Sequence, residues 1–217
     1  MFDMKHTLAT GLAAALVGTA TAAPITVVNP SWEVDDIPNN SFSDGVATGW
    51  NPTGGTVVGT QDFNDGQVPQ PTDGEQHAAI SFAGRTMSQV TGHTIAVGDT
   101  YTLTVDVGQV SNFSGSQATI WLYGSTTGIG TALSNVGGTA ENAGIAPGSG
   151  AYLVDQTVTF TVLAGDAFVG ESLAIGLTNS SGTQTLFDNV RLEVVPEPSS
   201  LALLGLGGLL IARRRRG

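Results

Sequence analysis

The chain has 217 residues, a formal net charge of −11, charged side chains at 12% and 30 glycines. That length holds one ordinary domain or two very small ones, and the absence of Cys excludes disulfides, zinc–thiolate sites, iron–sulfur clusters and a cysteine nucleophile. The acidic balance argues against a nucleic-acid partner, which needs clustered Lys and Arg.

Residues 1–22 read as a secretory signal peptide. Lys5 and His6 open it, an Ala/Leu-rich run follows from Leu8 to Val17, and Ala20-Thr21-Ala22 has the small-x-small form that signal peptidase accepts. Cleavage after Ala22 or Ala23 is expected.

From 23 to 195 the chain predicts one all-β domain. No stretch there holds a 3.6-residue apolar period, whereas period-two alternation is plain. Strands are expected near 25–28, 55–60, 76–83 and 86–96. Tyr101, Leu103, Val105 and Val107 then alternate with polar residues. Ala118, Ile120 and Leu122 do the same, as do Val158, Phe160 and Val162. Leu173, Ile175 and Leu177 form another inward set, and Leu186, Val190, Leu192 and Val194 the last. The segment 125–150, rich in Gly, Thr and Asn, reads as a loop. Gly/Asn/Asp/Pro clusters at 64–66, 71–74 and 147–150 mark turns. This pattern fits a single antiparallel β-sandwich, a jelly roll. An outer-membrane barrel would need longer strands and aromatic girdles, whereas the second face here is mostly Thr.

Val195 leads into Pro196-Glu197-Pro198, then Leu201 to Ala212 without a charge, then Arg213, Arg214, Arg215 and Arg216. An apolar helix of that length spans about 20 Å, shorter than the roughly 30 Å hydrocarbon core. Snorkelling arginines and local thinning would make up part of the difference. The Arg cluster would stop translocation on the cytoplasmic side. Tripeptide, short transmembrane helix and terminal Arg cluster over 196–217 together resemble the PEP-CTERM sorting signal of exported proteins. That resemblance implies an exosortase as processing partner and a transient stay in the inner membrane. It also implies a final place at the cell surface or in an exopolysaccharide matrix, as in biofilm. Without both ends the body carries 16 acidic residues against Arg85 and Arg191. Such a surface attracts cations and repels polyanions.

The body also resembles galactose-binding-like and carbohydrate-binding-module jelly rolls. The likeness lies in Asn29-Pro30-Ser31-Trp32-Glu33 before Gly49-Trp50, in Asp73-Gly74-Glu75-Gln76-His77-Ala78, and in the closing Phe187-Asp188-Asn189-Val190-Arg191-Leu192. Those modules often hold a structural Ca²⁺. The resemblance implies Glu33 from the first strand and Asp188 from the last as its ligands, with backbone carbonyls at Asp73 and Gly74. Alternation puts Asp188 on the face of Leu186, Val190 and Leu192, so it is expected to point inward. A hydrogen-bonded carboxylate without a metal is the competing reading. Trp121 and Tyr123 lie opposite Ile120 and Leu122, and exposed aromatics among Thr residues suit sugar rings; ordinary packing beneath 125–150 is the alternative. Trp32 and Trp50 read as core anchors.

No catalytic motif stands out. His77 and His93 sit in strand-like stretches without a nucleophile signature, and no H-E-x-x-H, G-x-S-x-G or P-loop occurs. The expectation is therefore a structural or adhesive surface protein that is not an enzyme. A polysaccharide-binding module and a glycan-active hydrolase are the alternatives.

Overall fold

The computed structural model describes residues 20–45, 47–54, 58–63, 65–125, 131–135 and 138–197. The signal-peptide segment up to residue 19, Pro198 and Arg213–Arg216 lie outside these residues. Among the described residues no helix is long and apolar enough to cross a membrane.

Among the described residues fifteen strands follow in chain order. They are β1 (Ala23–Ile25), β2 (Ser41–Asp44), β3 (Asn51–Thr53), β4 (Val58–Asp62), β5 (His77–Ser81), β6 (Arg85–Thr94), β7 (Thr100–Gln109) and β8 (Gln117–Gly124). Then come β9 (Thr131–Ala132), β10 (Ser134–Asn135), β11 (Gly138–Thr139), β12 (Glu141–Ile145), β13 (Ala151–Thr161), β14 (Ser172–Ser181) and β15 (Gln184–Val195). One antiparallel sheet runs β13-β7-β15-β5-β4-β2, with β1 beside β15. The other runs β12-β8-β14-β6-β3, with β9 beside β8. The two layers make the expected sandwich.

The alternating residues explain the layers. Leu103, Val105, Val107, Ala78, Ile80, Phe187 and Leu192 of the first sheet pack on Ile120, Leu122, Ile175, Leu177 and Met87 of the second. Burial of these faces is the main stabilising term, at roughly 25 cal/mol per Å² of apolar surface. Trp32 and Trp50 are core residues as expected, stacked with ring centroids 5.0 Å apart. On the outer face of β7 and β13, Thr100 and Thr161 share a hydrogen bond of 2.8 Å, and Thr102 and Thr159 one of 3.1 Å. The Thr-rich second face is thus a hydroxyl ladder rather than a lipid-facing band.

Three local expectations change. Part of the segment read as a loop is strand: β12 pairs with β8, placing Glu141 beside Trp121 and Asn142 beside Ile120. Glu33 is on no strand, because Asn29 and Trp32 take positive φ (51° and 61°) and fold residues 28–35 into turns. Asp188 does not point between the sheets. The pairing of β15 with β7 slips between Asp188 and Arg191, with Asn189 at φ 50°. This bulge reverses the alternation. Val190, Leu192 and Val194 reach the core, while Leu186 belongs to a separate apolar cluster with Ala79, Val68 and Val110. Asp188, two residues from Leu186, shares that outer face.

Candidate binding hollow on the outer sheet face

The outer cluster exists because Ala79 and Leu186 alternate with the core residues Ala78, Ile80 and Phe187. Phe42, Phe63, Phe113 and Tyr152 pack around it, each half-buried. Between them lies an open hollow of about 230 Å³. Phe42 on β2, Phe63, Val68, Val110 and Phe113 give it apolar walls, and Gln61, Gln67, Gln184, Asn112, Ser81 and Asp65 supply polar groups. Asp65 Oδ1 accepts the N–H groups of Gln67 and Val68 at 2.9 and 3.3 Å and so folds one rim. Ser81 Oγ accepts a 3.0 Å bond from Gln184 Nε2, an amide that holds the hydroxyl and cannot take its proton.

Gln61 is 3% exposed, and its Oε1 has no hydrogen-bond partner. A buried amide oxygen left unmatched costs about 1–3 kcal/mol. His77 stands opposite Gln61 in the strand register. Its Nδ1 meets the Tyr152 hydroxyl at 2.9 Å while its Nε2 is unpartnered, and burial pushes its pKa down to about 3. The ring is therefore neutral at any ordinary pH. Tyr152 is held well above the usual phenol range by burial and by the charges of Asp188 and Asp106.

Asp106 and Asp188 face each other across β7 and β15. Asp106 accepts the Asp155 N–H at 2.7 Å and the Asn189 side chain at 3.2 Å, so two bulged strands converge on it. Arg191 reaches Asp155 at 2.5 Å and Asp106 at 3.7 Å. Asp188 Oδ2 accepts Thr72 N–H at 2.6 Å, Thr72 Oγ1–H at 3.0 Å and Asp73 N–H at 2.9 Å; its Oδ1 accepts Asn189 N–H at 2.7 Å. Burial still raises its carboxyl to about 6, against the pull of these donors.

The residues singled out in the sequence are only partly brought together. Glu33 Oε1 accepts the N–H groups of Glu75 and Gln76 at 2.9 and 2.7 Å, and Asp73 Oδ2 accepts Ser31 Oγ–H at 2.7 Å. Glu33 and Asp188 thus hold the 72–76 turn, with Gly74 packed against the Glu33 carboxylate. As for calcium, the oxygens used in these bonds face N–H and O–H hydrogens, which repel a cation. Glu33 Oε2, Asp73 Oδ1 and the turn carbonyls are the oxygens these bonds leave. Among the described residues no three His, Cys, Asp or Glu side chains form a metal-holding group. Trp121 and Tyr123 stack at 5.9 Å and 18° on the outer face of the other sheet. Tyr123 is only 6% exposed and presses on Gly176, while Trp121 is half-buried and donates to Thr178 Oγ1 at 3.1 Å. Pro196 and Glu197 follow β15 directly.

Strand alternation alone does not point to the hollow. Its signal in the sequence is slight: single phenylalanines between polar residues, in Ser41-Phe42-Ser43, Asp62-Phe63-Asn64 and Asn112-Phe113-Ser114.

Comparisons with known proteins agree with this architecture. The PEP-CTERM protein-sorting motif matches residues 194–216, so the chain carries an exosortase-sorting signal of exported cell-surface proteins. No curated protein matches the chain. An apo cyclase from Fischerella sp. is 20% identical with a TM-score of 0.67, over 81% of this chain and 98% of that one. A Stig cyclase, Fisc, from Fischerella sp. TAU in complex with (3Z)-3-(1-methyl-2-pyrrolidinylidene)-3H-indole gives the same identity and TM-score, over 82% of this chain and 100% of its own. The CBM22-1 xylan-binding domain of Paenibacillus barcinonensis Xyn10C stands further off, at 14% identity and a TM-score of 0.48, over 74% of this chain and 99% of that one. The HpiC1-like family, described by HpiC1 cyclase, matches residues 23–193, from the first strand of the sandwich into the last, and the chain belongs to that family.

Proposed function

We propose that the mature protein is a structural and adhesive surface protein without catalytic activity, which holds matrix polysaccharide in the outer-face hollow. The carrying observation is the composition of that hollow: three phenylalanines for ring faces and several amides for hydroxyl edges, with no activated nucleophile. Sites of this kind bind by stacking and oriented hydrogen bonds. The test is retention of the protein on extracellular polysaccharide from its own host. Phe42→Ala with Phe113→Ala should abolish retention while the fold persists. Retention lost instead in Trp121→Ala with Tyr123→Ala would move the sugar contact to the opposite sheet and overturn the assignment.

A second reading, cyclisation of a small molecule, draws on the family and on one feature. Asp188, Tyr152 and His77 form a buried polar cluster beside the hollow, and the Asp188 carboxyl is raised to about 6, a range suited to proton transfer. Turnover of an indole substrate that stops in Asp188→Asn would establish it. We also propose a structural Ca²⁺ at the 72–76 turn, taken up by the oxygens that Glu33 and Asp73 leave there and dependent on Asp188 as the residue that holds the turn. The melting temperature should then rise with Ca²⁺ and fall with chelator, and Asp188→Ala should remove the difference. A wild-type melting temperature indifferent to Ca²⁺ ends that proposal.

A further inference from the structure

We infer that the hollow selects an uncharged, hydroxyl- or N–H-bearing ring and rejects anionic sugars, with Gln61 as the residue that sets this choice. The inference rests on the proposed binding function of the hollow and adds the class of ligand.

Two independent observations carry it. The first is Gln61, which lines the hollow beside Phe42, Phe63 and Phe113, is more than nine-tenths buried, and leaves its Oε1 without a partner. An acceptor in that setting is satisfied by a ligand O–H or N–H, and a ring without such a donor leaves it unmatched. Discrimination is strong in this direction, because a site built around a buried polar atom penalises the analogue that cannot pair with it. A carboxylate or sulfate brought to the same atom meets an acceptor with an acceptor.

The second is the absence of any compensating positive charge. Among the described residues no Arg or Lys lines the hollow. Of the two arginines in the body, Arg85 lies over the Phe82 ring and Arg191 reaches Asp155. The neighbouring His77 is kept neutral by burial. Asp65 in the rim adds a negative group, and so do Asp106 and Asp188 further along the face. A uronate or sulfated sugar would lose hydration here and find only neutral amide and hydroxyl donors, with no cation to balance its charge. The size agrees with a short contact: about 230 Å³ takes one or two sugar rings, below the usual range of drug-sized pockets.

The experiment uses the exported protein purified from its host. The probe is the host's extracellular polysaccharide, separated by anion exchange into a neutral and an acidic fraction. The neutral fraction should retain the wild type at least about tenfold more strongly than the acidic one, and raising the salt should not bring the acidic fraction level. Gln61→Leu should lose that retention at a melting temperature equal to or above that of the wild type, because it removes the unmatched oxygen. Gln61→Glu, which keeps an acceptor, should retain more than Gln61→Leu. Equal or stronger retention on the acidic fraction overturns the inference and leaves the binding function standing. So does neutral retention that survives Gln61→Leu. No retention on either fraction overturns the binding function itself.

Discussion

Asp188 ties the 72–73 turn to the last strand and accepts four hydrogen bonds. It receives the Thr72 and Asp73 amides, the Thr72 hydroxyl and the Asn189 amide, yet burial lifts its carboxyl from the ordinary 3.8 to about 6. The folded state therefore binds a proton at Asp188 more tightly than the unfolded chain does. The proton-linked part of its contribution to stability is fully present below pH 3.8 and is lost as the pH rises through 6, while the four hydrogen bonds it accepts are a separate contribution. With chelator present, the melting temperature of the wild type should fall between pH 4 and 6 relative to Asp188→Asn, which cannot titrate. A wild type that gains stability over that window relative to the Asn variant would contradict the burial argument. Asp188→Ala removes the acceptor for all four donors, and a loss of roughly 2–4 kcal/mol in chemical unfolding is expected.

At the scale of the element, the hollow depends on how β2 meets β4. Gly59 of β4 pairs with Asp44, and a Cβ at that glycine would stand 1.8 Å from the Ser43 carbonyl oxygen. That contact is backbone on backbone, so no side chain can turn away. Gly59→Ala should push β2 off the sheet edge and carry Phe42 out of the hollow, costing more than the roughly 1–3 kcal/mol of ordinary overpacking. Urea denaturation and retention on polysaccharide should fall together; an unchanged midpoint would mean that β2 is not needed. This pairing also shows what was legible in the sequence. The inward sets of β7, β8, β13 and β14 could be read directly, because each alternates without interruption over its apolar residues. Bulges break that rule. Asp106 occupies an outward position between Val105 and Val107, yet it is buried, because β13 and β15 both kink toward it. Strict alternation puts Asp188 on the wrong face for the same reason: one extra residue at Asn189 reverses the period. The three phenylalanines of the hollow come from separate edges and turns, and their meeting is a product of strand order alone.

For the whole molecule, the two ends and the body carry opposite charge, and this governs where the protein can stay. The body has 16 acidic residues and two arginines, while most of the basic charge stands in the four terminal arginines. With the tail attached, those arginines favour the anionic cytoplasmic face of a membrane. Once the tail is removed, nothing in the body offers attraction to anionic lipid or to an acidic polymer. Replacing Pro196-Glu197-Pro198 by Ala-Ala-Ala should therefore leave a tail-bearing protein in the inner membrane fraction. The unaltered sequence should yield a species outside that membrane whose intact mass lacks the terminal arginines. Deleting the host's exosortase should reproduce the effect of the replacement. Loss of the tail in that deletion strain, or release that ignores the tripeptide, would assign processing to another protease. The released body should further stay apart from acidic matrix polymer at low salt, where repulsion is strongest, and associate with the neutral part of the matrix through the hollow.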